Sequence, residues 1–118
     1  MTARSAKAKG RKLQNHVRDK LREIYVNTDR MPRLEEDDIK SQTMGMTGED
    51  IVLSPAAKRM IPYSFECKNV EKISIWSSLK QCESNCEERT PALVFKRNQR
   101  EPYVAIPFDK FLELIKTR

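Results

Sequence analysis

Apolar residues recur with helical spacing near the N-terminus and form short runs further along the chain. The first pattern predicts a helix over about residues 11–25. Its apolar stripe consists of Leu13, Val17, Leu21, Ile24 and Tyr25. The short runs are bounded by turn-forming residues and predict strands. The five predicted strands cover residues 38–46, 50–53, 61–69, 91–95 and 103–106. Gly45 and Gly48 mark a tight turn between the first two strands.

Two further helices complete the predicted order. Ser74 is a suitable N-cap for a helix over residues 75–86, and the last helix covers residues 109–116. The expected buried face of the middle helix consists of Ile75, Trp76, Leu79, Cys82 and Cys86. Trp76 is expected to anchor the core rather than to stack on a nucleic-acid base. The chain thus reads as one helix, three strands, a helix, two strands and a helix, with no internal repeat, which indicates the α/β class.

Composition narrows the class of partner. The chain has 118 residues, which favours one domain, and 23 basic against 17 acidic residues give a net charge of +6. Residues 1–10 are basic and polar and predict a disordered arm ahead of a single domain over residues 11–118. The basic excess favours a polyanion such as DNA. No apolar run suits a membrane span or a signal peptide, so no membrane partner is expected.

The cysteines and the single histidine exclude some kinds of site. Three cysteines are an odd number and argue against a disulfide scaffold. Cys82 and Cys86 could share a zinc ion with Cys67 or His16, but small apolar packing residues are the favoured interpretation. His16 falls on the exposed side of its helix, and no histidine-based triad is available.

The strongest candidate chemistry lies on the second and third predicted strands. Asp50 opens one strand, and Glu66-Cys67-Lys68 closes the next. Because strand side chains alternate between faces, Glu66 and Lys68 share a face, and an antiparallel neighbour brings Asp50 beside Glu66. The alternative is the solvated face of an edge strand. The apolar residues before Glu66 favour burial instead, and a bound cation would explain buried carboxylates there.

These motifs and the order of elements resemble the PD-(D/E)XK nuclease superfamily over about residues 9–116. The resemblance implies a restriction-endonuclease-like αβββαβ core, with a central mixed sheet flanked by helices. Glu49-Asp50 stands in place of the usual Pro-Asp. Lys9-Gly10 is followed by Gln14, where many junction resolvases carry glutamate, and this departure puts one metal ligand in doubt. Gln81 matches a glutamine or lysine found on the following helix in archaeal Holliday-junction resolvases and related nucleases.

The resemblance also implies the roles of the site residues. Asp50, Glu66 and the backbone carbonyl of Cys67 would bind Mg²⁺ or Mn²⁺. Lys68 would orient or help to deprotonate the attacking water, and Gln81 would be a further catalytic residue. Gln14 and Glu49 are additional candidates, with Glu49 ranked below Asp50 because adjacent strand residues point to opposite faces.

DNA binding is expected from basic residues at three places on the chain. They are Arg11, Lys12 and Arg18 on the first helix, Lys58 and Arg59 after the second strand, and Lys96, Arg97 and Arg100 at a hairpin tip. The leading expectation is a structure-selective endonuclease for branched DNA, similar to small phage nucleases. It would work as a homodimer where both strands are cut, in the host cytoplasm if phage-encoded. The alternatives are a site-specific restriction or homing type of endonuclease and a non-catalytic DNA-binding protein on the same fold.

Overall fold

The computed structural model describes residues 2–43 and 45–117, and it has a mixed α/β architecture. The helices are α1 (Ala3–Tyr25), α2 (Pro55–Met60), α3 (Ile75–Asn85) and α4 (Phe108–Lys116). The strands are β1 (Ile39–Ser41), β2 (Ile51–Leu53), β3 (Tyr63–Asn69), β4 (Thr90–Lys96) and β5 (Tyr103–Ala105). The predicted fold class and order of elements are confirmed, and the arrangement is compatible with a restriction-endonuclease-like core.

The first helix begins much earlier than the sequence pattern indicated. The hydroxyl of Thr2 caps its N-terminus by accepting a hydrogen bond from the backbone N–H of Ser5 at 3.1 Å. The predicted disordered arm over residues 1–10 is therefore wrong for residues 3–10, which are helical and largely exposed. Alanine and lysine favour a helix even where no apolar stripe reports it. Met1, the first residue of that predicted arm, lies outside the described residues.

The strands form two sheets rather than one. In the smaller sheet β1 pairs antiparallel with β2, and β1 is shorter than the predicted strand over residues 38–46, of which Met44 lies outside the described residues. In the larger sheet β3 pairs parallel with β4, which pairs antiparallel with β5. The backbone N–H of Asp50 donates to the carbonyl of Phe65 at 3.0 Å, so the start of β2 is held against β3.

The two faces of the larger sheet bury different sets of side chains. Cys67 of β3 packs with Leu13 and Val17 of α1 in the main core cluster. The side chains of β3 that alternate with Cys67 point to the other face, towards α3. Ser64 and Glu66 are buried there. The hydroxyl of Ser64 donates to the carbonyl of Asn85 at 3.4 Å. The alternation of strand side chains therefore places Glu66 away from the main core cluster and towards α3, on the face where its β4 partner Leu93 is also buried.

Helix α3 packs through a narrower face than expected. Ser78 and Cys82 are its buried residues, whereas Trp76 is 82% exposed. The interpretation of Trp76 as a core anchor is wrong. Apolar residues occur on both flanks of this helix, so periodicity alone does not select the face that packs. Among the described residues, no helix is long and apolar enough to cross a membrane.

Candidate active site

Five residues singled out by the sequence line one cavity of about 190 Å³. They are Gln14, Asp50, Glu66, Lys68 and Gln81. Helix α1 supplies the first, the start of β2 the second, β3 the next two and α3 the last. The structure thus brings together residues that are far apart in sequence, as the spacing argument predicts for Asp50, Glu66 and Lys68.

Asp50 is held in place by its backbone and by its side chain. Its Oδ2 atom accepts a hydrogen bond from the backbone N–H of Cys67 at 2.7 Å. Its carbonyl accepts from the backbone N–H of Gln42 at 2.8 Å and from Nε2 of Gln14 at 2.6 Å. Gln14 is 5% exposed and points inward, as the helical pattern predicts. Its amide binds the backbone of Asp50, so it braces α1 against the start of β2.

Asp50 and Glu66 form an electrostatically coupled pair of carboxyl groups. Burial raises the pKa of Asp50, although the Cys67 N–H, Glu66 and the charge of Lys68 oppose the rise. Burial and the neighbouring charge of Asp50 together raise the pKa of Glu66 to about 7. Glu66 is 3% exposed, and its closest polar partner on α3 is Nδ2 of Asn85 at 3.5 Å. Two buried acids of this kind hold protons at pH values where ordinary carboxyl groups are ionised.

We expect Glu66→Gln to stabilise the metal-free protein at alkaline pH. Glu66 has a pKa of about 7 in the folded protein against an ordinary value of 4.5. The folded protein therefore keeps a proton that the unfolded chain releases, and the free energy of unfolding falls as pH rises through this window. Glutamine does not titrate, so the variant does not undergo this fall in the free energy of unfolding. At pH 8 the variant should gain about 1–2 kcal/mol, less than the full shift would give because the cavity admits water.

Urea unfolding with EDTA at pH 4.5 and pH 8 would measure this difference. Glu88→Gln is a suitable control, since Glu88 is exposed and the variant should show the same stability relative to the parent at both pH values. A Glu66→Gln variant whose stability relative to the parent is the same at pH 4.5 and pH 8 would contradict the assigned environment of Glu66.

Lys68 and Gln81 lie nearer to solvent than the carboxyl groups. Lys68 is half-buried at the end of β3, on the same face as Glu66. Its positive charge lowers the pKa of both acids, although burial outweighs it. Gln81 is exposed on α3 and lines the cavity. A cationic group and an amide are therefore available on the open side of the carboxyl pair.

Glu49 belongs to a different cluster. Its Oε2 atom lies 2.7 Å from Nη2 of Arg89, and both side chains are nearly buried. The contact is an ion pair without hydrogen-bond geometry. The hydroxyl of Ser64 donates to the same oxygen at 2.8 Å, and Nη1 of Arg89 donates to the carbonyl of Tyr63 at 3.3 Å. Glu49 does not line the cavity of Asp50 and Glu66, so the structure separates these neighbouring acids.

Sequence reasoning missed Arg89 and Gln42. Arg89 compensates the nearly buried charge of Glu49, a need that a nearly buried acid always creates. Nε2 of Gln42 donates to the carbonyls of Thr47 and Glu49 at 3.3 and 3.4 Å, which closes the loop before Asp50. Gly48 has a φ of 103° in this loop, the left-handed conformation expected of a glycine turn. No residue pattern marked the two side-chain partners in advance.

The cysteines are free thiols. Cys67 and Cys82 are buried, as expected for packing residues, and Cys86 is half-buried. Burial raises the pKa of the Cys82 thiol to about 11 and that of Cys67 further. Among residues 2–43 and 45–117, no three His, Cys, Asp or Glu side chains are grouped to hold a metal ion. The zinc interpretation therefore gains no support, and a cation at this site would need oxygen ligands beyond the two carboxylates.

Basic residues gather on the other side of the first half of α1. Lys12 and Lys96 line a second cavity of about 440 Å³ together with His16 and Asn98. Other basic residues have acidic partners, and these ion pairs are Arg18–Asp19 at 2.8 Å, Lys58–Glu87 at 3.6 Å and Arg97–Glu71 at 3.7 Å. Arg11, Arg59 and Arg100 are exposed. The predicted DNA-binding set is therefore divided. Lys12 and Lys96 line the second cavity, whereas the other members line neither cavity; these are Arg11, Arg18, Lys58, Arg59, Arg97 and Arg100.

The comparison with known families agrees with this architecture. A family model described as "Phage putative PDDEXK endonuclease" matches residues 5–118. The chain belongs to this family. The predicted membership of the PD-(D/E)XK superfamily is thereby confirmed, and the match covers every helix and strand described above except the first two residues of α1. No curated protein and no solved structure gives a significant match.

Proposed function

We propose that this member of the phage PDDEXK endonuclease family is a divalent-metal-dependent DNA endonuclease selective for branched DNA. The observation that carries the proposal is the convergence of Asp50, Glu66 and Lys68 in one cavity. Two acids and an ammonium group at a protein surface suit phosphodiester hydrolysis. We propose a single nuclease domain, predicted over residues 11–118 and extended by the earlier start of α1 at Ala3, acting in the host cytoplasm if the chain is phage-encoded.

The residues of the cavity fit a hard cation. Asp50 and Glu66 are buried acids with raised pKa values, and the charge of Lys68 only partly offsets the effect of burial on both. A divalent ion would offset the cost of ionising them together. We propose that the two carboxylates and the backbone carbonyl of Cys67 hold Mg²⁺ or Mn²⁺, since both ions prefer oxygen ligands. When bound, the ion supplies Lewis-acid stabilisation and a more acidic water.

Side chains of this chain would orient the water, contact the phosphate and hold Asp50 in position. Lys68 lines the same cavity as Glu66, and its ammonium group would orient the attacking water and stabilise charge that develops on the phosphate. Gln81 lines the same cavity and offers an amide to a phosphate oxygen. Gln14 acts indirectly, because its amide holds the backbone of Asp50 at 2.6 Å. Glu49 supports the same loop through Arg89 and takes no part in the chemistry.

The second cavity, lined by Lys12 and Lys96 and called the basic cavity below, supports the proposal that the substrate is DNA. Lys12 and Lys96 come from α1 and from the end of β4 and meet across a cleft. Such groups bind phosphates irrespective of base sequence. Contacts of this kind favour selection by the shape of the DNA over readout of a long base sequence. Cleavage of both strands of a symmetric substrate would require two copies of the chain.

We expect the triple variant Lys96→Ala, Arg97→Ala, Arg100→Ala to weaken DNA binding equally for all sequences. Removal of these cations should lower the slope of log affinity against log salt by roughly one unit for each phosphate that is no longer bound. Arg97 lies 3.7 Å from Glu71, so it should contribute less than the other two. Fluorescence anisotropy over a series of salt concentrations measures the slope.

A charge-matched control is available on other elements. Lys20, Arg30 and Lys40 are exposed, and their replacement by alanine removes the same charge from α1, the following loop and β1. The slope should change little in that variant. Equal slopes for the parent and the Lys96, Arg97 and Arg100 triple variant would show that these residues keep the protein soluble and do not bind DNA. A loss of binding confined to one DNA sequence would favour a site-specific endonuclease instead.

The experiment that tests the proposed function compares labelled four-way junction, flap, single-stranded and linear duplex DNA, each with Mg²⁺, with Mn²⁺ and with EDTA. We expect cleavage of the branched substrates with either metal and none with EDTA. Cleavage of one duplex sequence only would support the site-specific alternative. Metal-independent binding without any cleavage would support the non-catalytic alternative.

A further inference from the structure

Helix α4 carries a continuous apolar face that the rest of the described chain leaves uncovered. Phe108, Phe111, Leu112 and Ile115 recur at the spacing of one helix face, and Leu114 borders it. Their exposed fractions are 70, 48, 40, 51 and 47%, respectively. Helix α4 has no buried residue. This is a large apolar surface for a short helix, and such surfaces mark contact sites.

A helix of this length needs a partner to persist in water. Helix α4 has nine residues, and isolated helices shorter than about 12–15 residues are marginal. The strong segregation of apolar from charged residues in Phe108–Lys116 is the pattern of a helix that packs on one side. The missing cover must therefore come from outside the described residues of this chain.

The charges of α4 identify the kind of partner. Its polar side carries Asp109, Lys110, Glu113 and Lys116, two acids and two bases. Lys110 and Glu113 lie 3.6 Å apart and largely satisfy each other. A helix that binds an anionic lipid surface is rich in basic residues on its polar face, and this helix has no basic excess. Its charge pattern favours a protein surface with both signs.

The two remaining charges make α4 complementary to a copy of itself. Asp109 lies in the first turn and Lys116 in the last turn. They are two helical turns apart and so share one flank of the helix. In an antiparallel pair of identical helices, residues on the same flank meet, with the start of one helix beside the end of the other. Asp109 of each copy then faces Lys116 of its partner. The two helix dipoles run in opposite directions, which also favours the pair.

The strand before α4 extends the same surface. Strand β5 is the edge strand of the larger sheet, and β4 is its neighbour. Tyr103 and Val104 are 55 and 56% exposed, and Ile106 and Pro107 alone separate β5 from α4. An exposed apolar edge strand next to an uncovered amphipathic helix gives an interface larger than a helix pair alone could provide.

We propose that two copies of this chain form a two-fold symmetric dimer through the antiparallel apolar faces of α4, with β5 at the margin of the interface. The contact is isologous, because the same residues of each copy meet those of the other. The proposal goes beyond the nuclease function and does not rest on it. Association is measured without DNA or metal, so failure of one proposal leaves the other intact.

Sedimentation equilibrium of the full chain tests the proposal with a pair of matched variants. Ile115 and Ile24 are each 51% exposed and lie near the ends of their helices, α4 and α1. Ile115→Glu should weaken the dimer at least about tenfold in Kd, because an interface residue becomes charged. Ile24→Glu makes the same chemical change outside the interface and should sediment as the parent does.

A charge exchange tests the antiparallel arrangement itself. Asp109→Lys places lysine opposite lysine, and Lys116→Asp places acid opposite acid, so each variant alone should dimerise about fivefold more weakly. An equimolar mixture of the two should recover parental association, since every pair is again of opposite sign. A monomeric parent at 100 µM overturns the proposal, as does equal weakening by Ile24→Glu. A mixture no stronger than its components also overturns it.

Discussion

Asp50→Asn and Glu66→Gln should each reduce DNA cleavage by about three orders of magnitude or more, while the fold is retained. Both substitutions preserve the size of the side chain and remove the negative charge that the proposed cation requires. Single-turnover cleavage of the preferred branched substrate, with Mn²⁺ titration by calorimetry, measures the two losses together.

The adjacent acid provides the matched control. Glu49→Gln removes a carboxylate one residue from Asp50, but Glu49 is paired with Arg89 at 2.7 Å and lies outside the cavity. This variant should lose stability, because the nearly buried Arg89 then keeps only the exposed Glu87, 3.6 Å away, as its counter-charge. It should cleave DNA normally below its unfolding temperature. If Glu66→Gln cut at the parental rate, or Glu49→Gln alone abolished Mn²⁺ binding, the assignment of the two acids would have to be reversed.

Lys68→Ala should lose cleavage by about 10²- to 10³-fold and keep its affinity for DNA and for Mn²⁺. The reason is that its ammonium group acts on the reacting phosphate and water, where one donor contributes on this scale. Lys68→Arg should recover part of the rate, since the charge returns with a different shape. Single-turnover rates at saturating DNA separate chemistry from binding.

Lys40→Ala serves as the control for removal of one positive charge, since Lys40 is exposed on β1. A Lys68→Ala variant with weakened DNA binding and an unchanged single-turnover rate would show that Lys68 is a phosphate contact. The same result for Lys40→Ala would show that net charge, rather than position, controls affinity.

The sequence predicted those parts of the site that depend on local geometry. Asp50, Glu66 and Lys68 follow from alternation along neighbouring strands, and the inward direction of Gln14 follows from the helical repeat. These regularities hold wherever a strand or helix forms, so they can be read before any contact is known. These residues line one cavity, and their assignment as a catalytic site stays a prediction.

Other features depend on contacts between distant segments and could not be predicted. The pairing of Arg89 with Glu49 joins residues forty positions apart. The exposure of Trp76 depends on which flank of α3 meets the sheet, and both flanks carry apolar residues. The early start of α1 depends on propensity without an apolar stripe, a signal that resembles that of a basic disordered tail.

The position of α1 has a consequence for the DNA under the proposed function. Gly10 and Gln14 line the cavity of the carboxyl pair, whereas Lys12 and His16 line the basic cavity. Helix α1 therefore lies between the proposed cleavage site and the proposed phosphate-binding site. Lys68 and Asn69, which are neighbours on β3, likewise line one cavity each. The backbone of α1, rather than any single side chain, would then fix the position of the cleaved phosphate relative to the bound one.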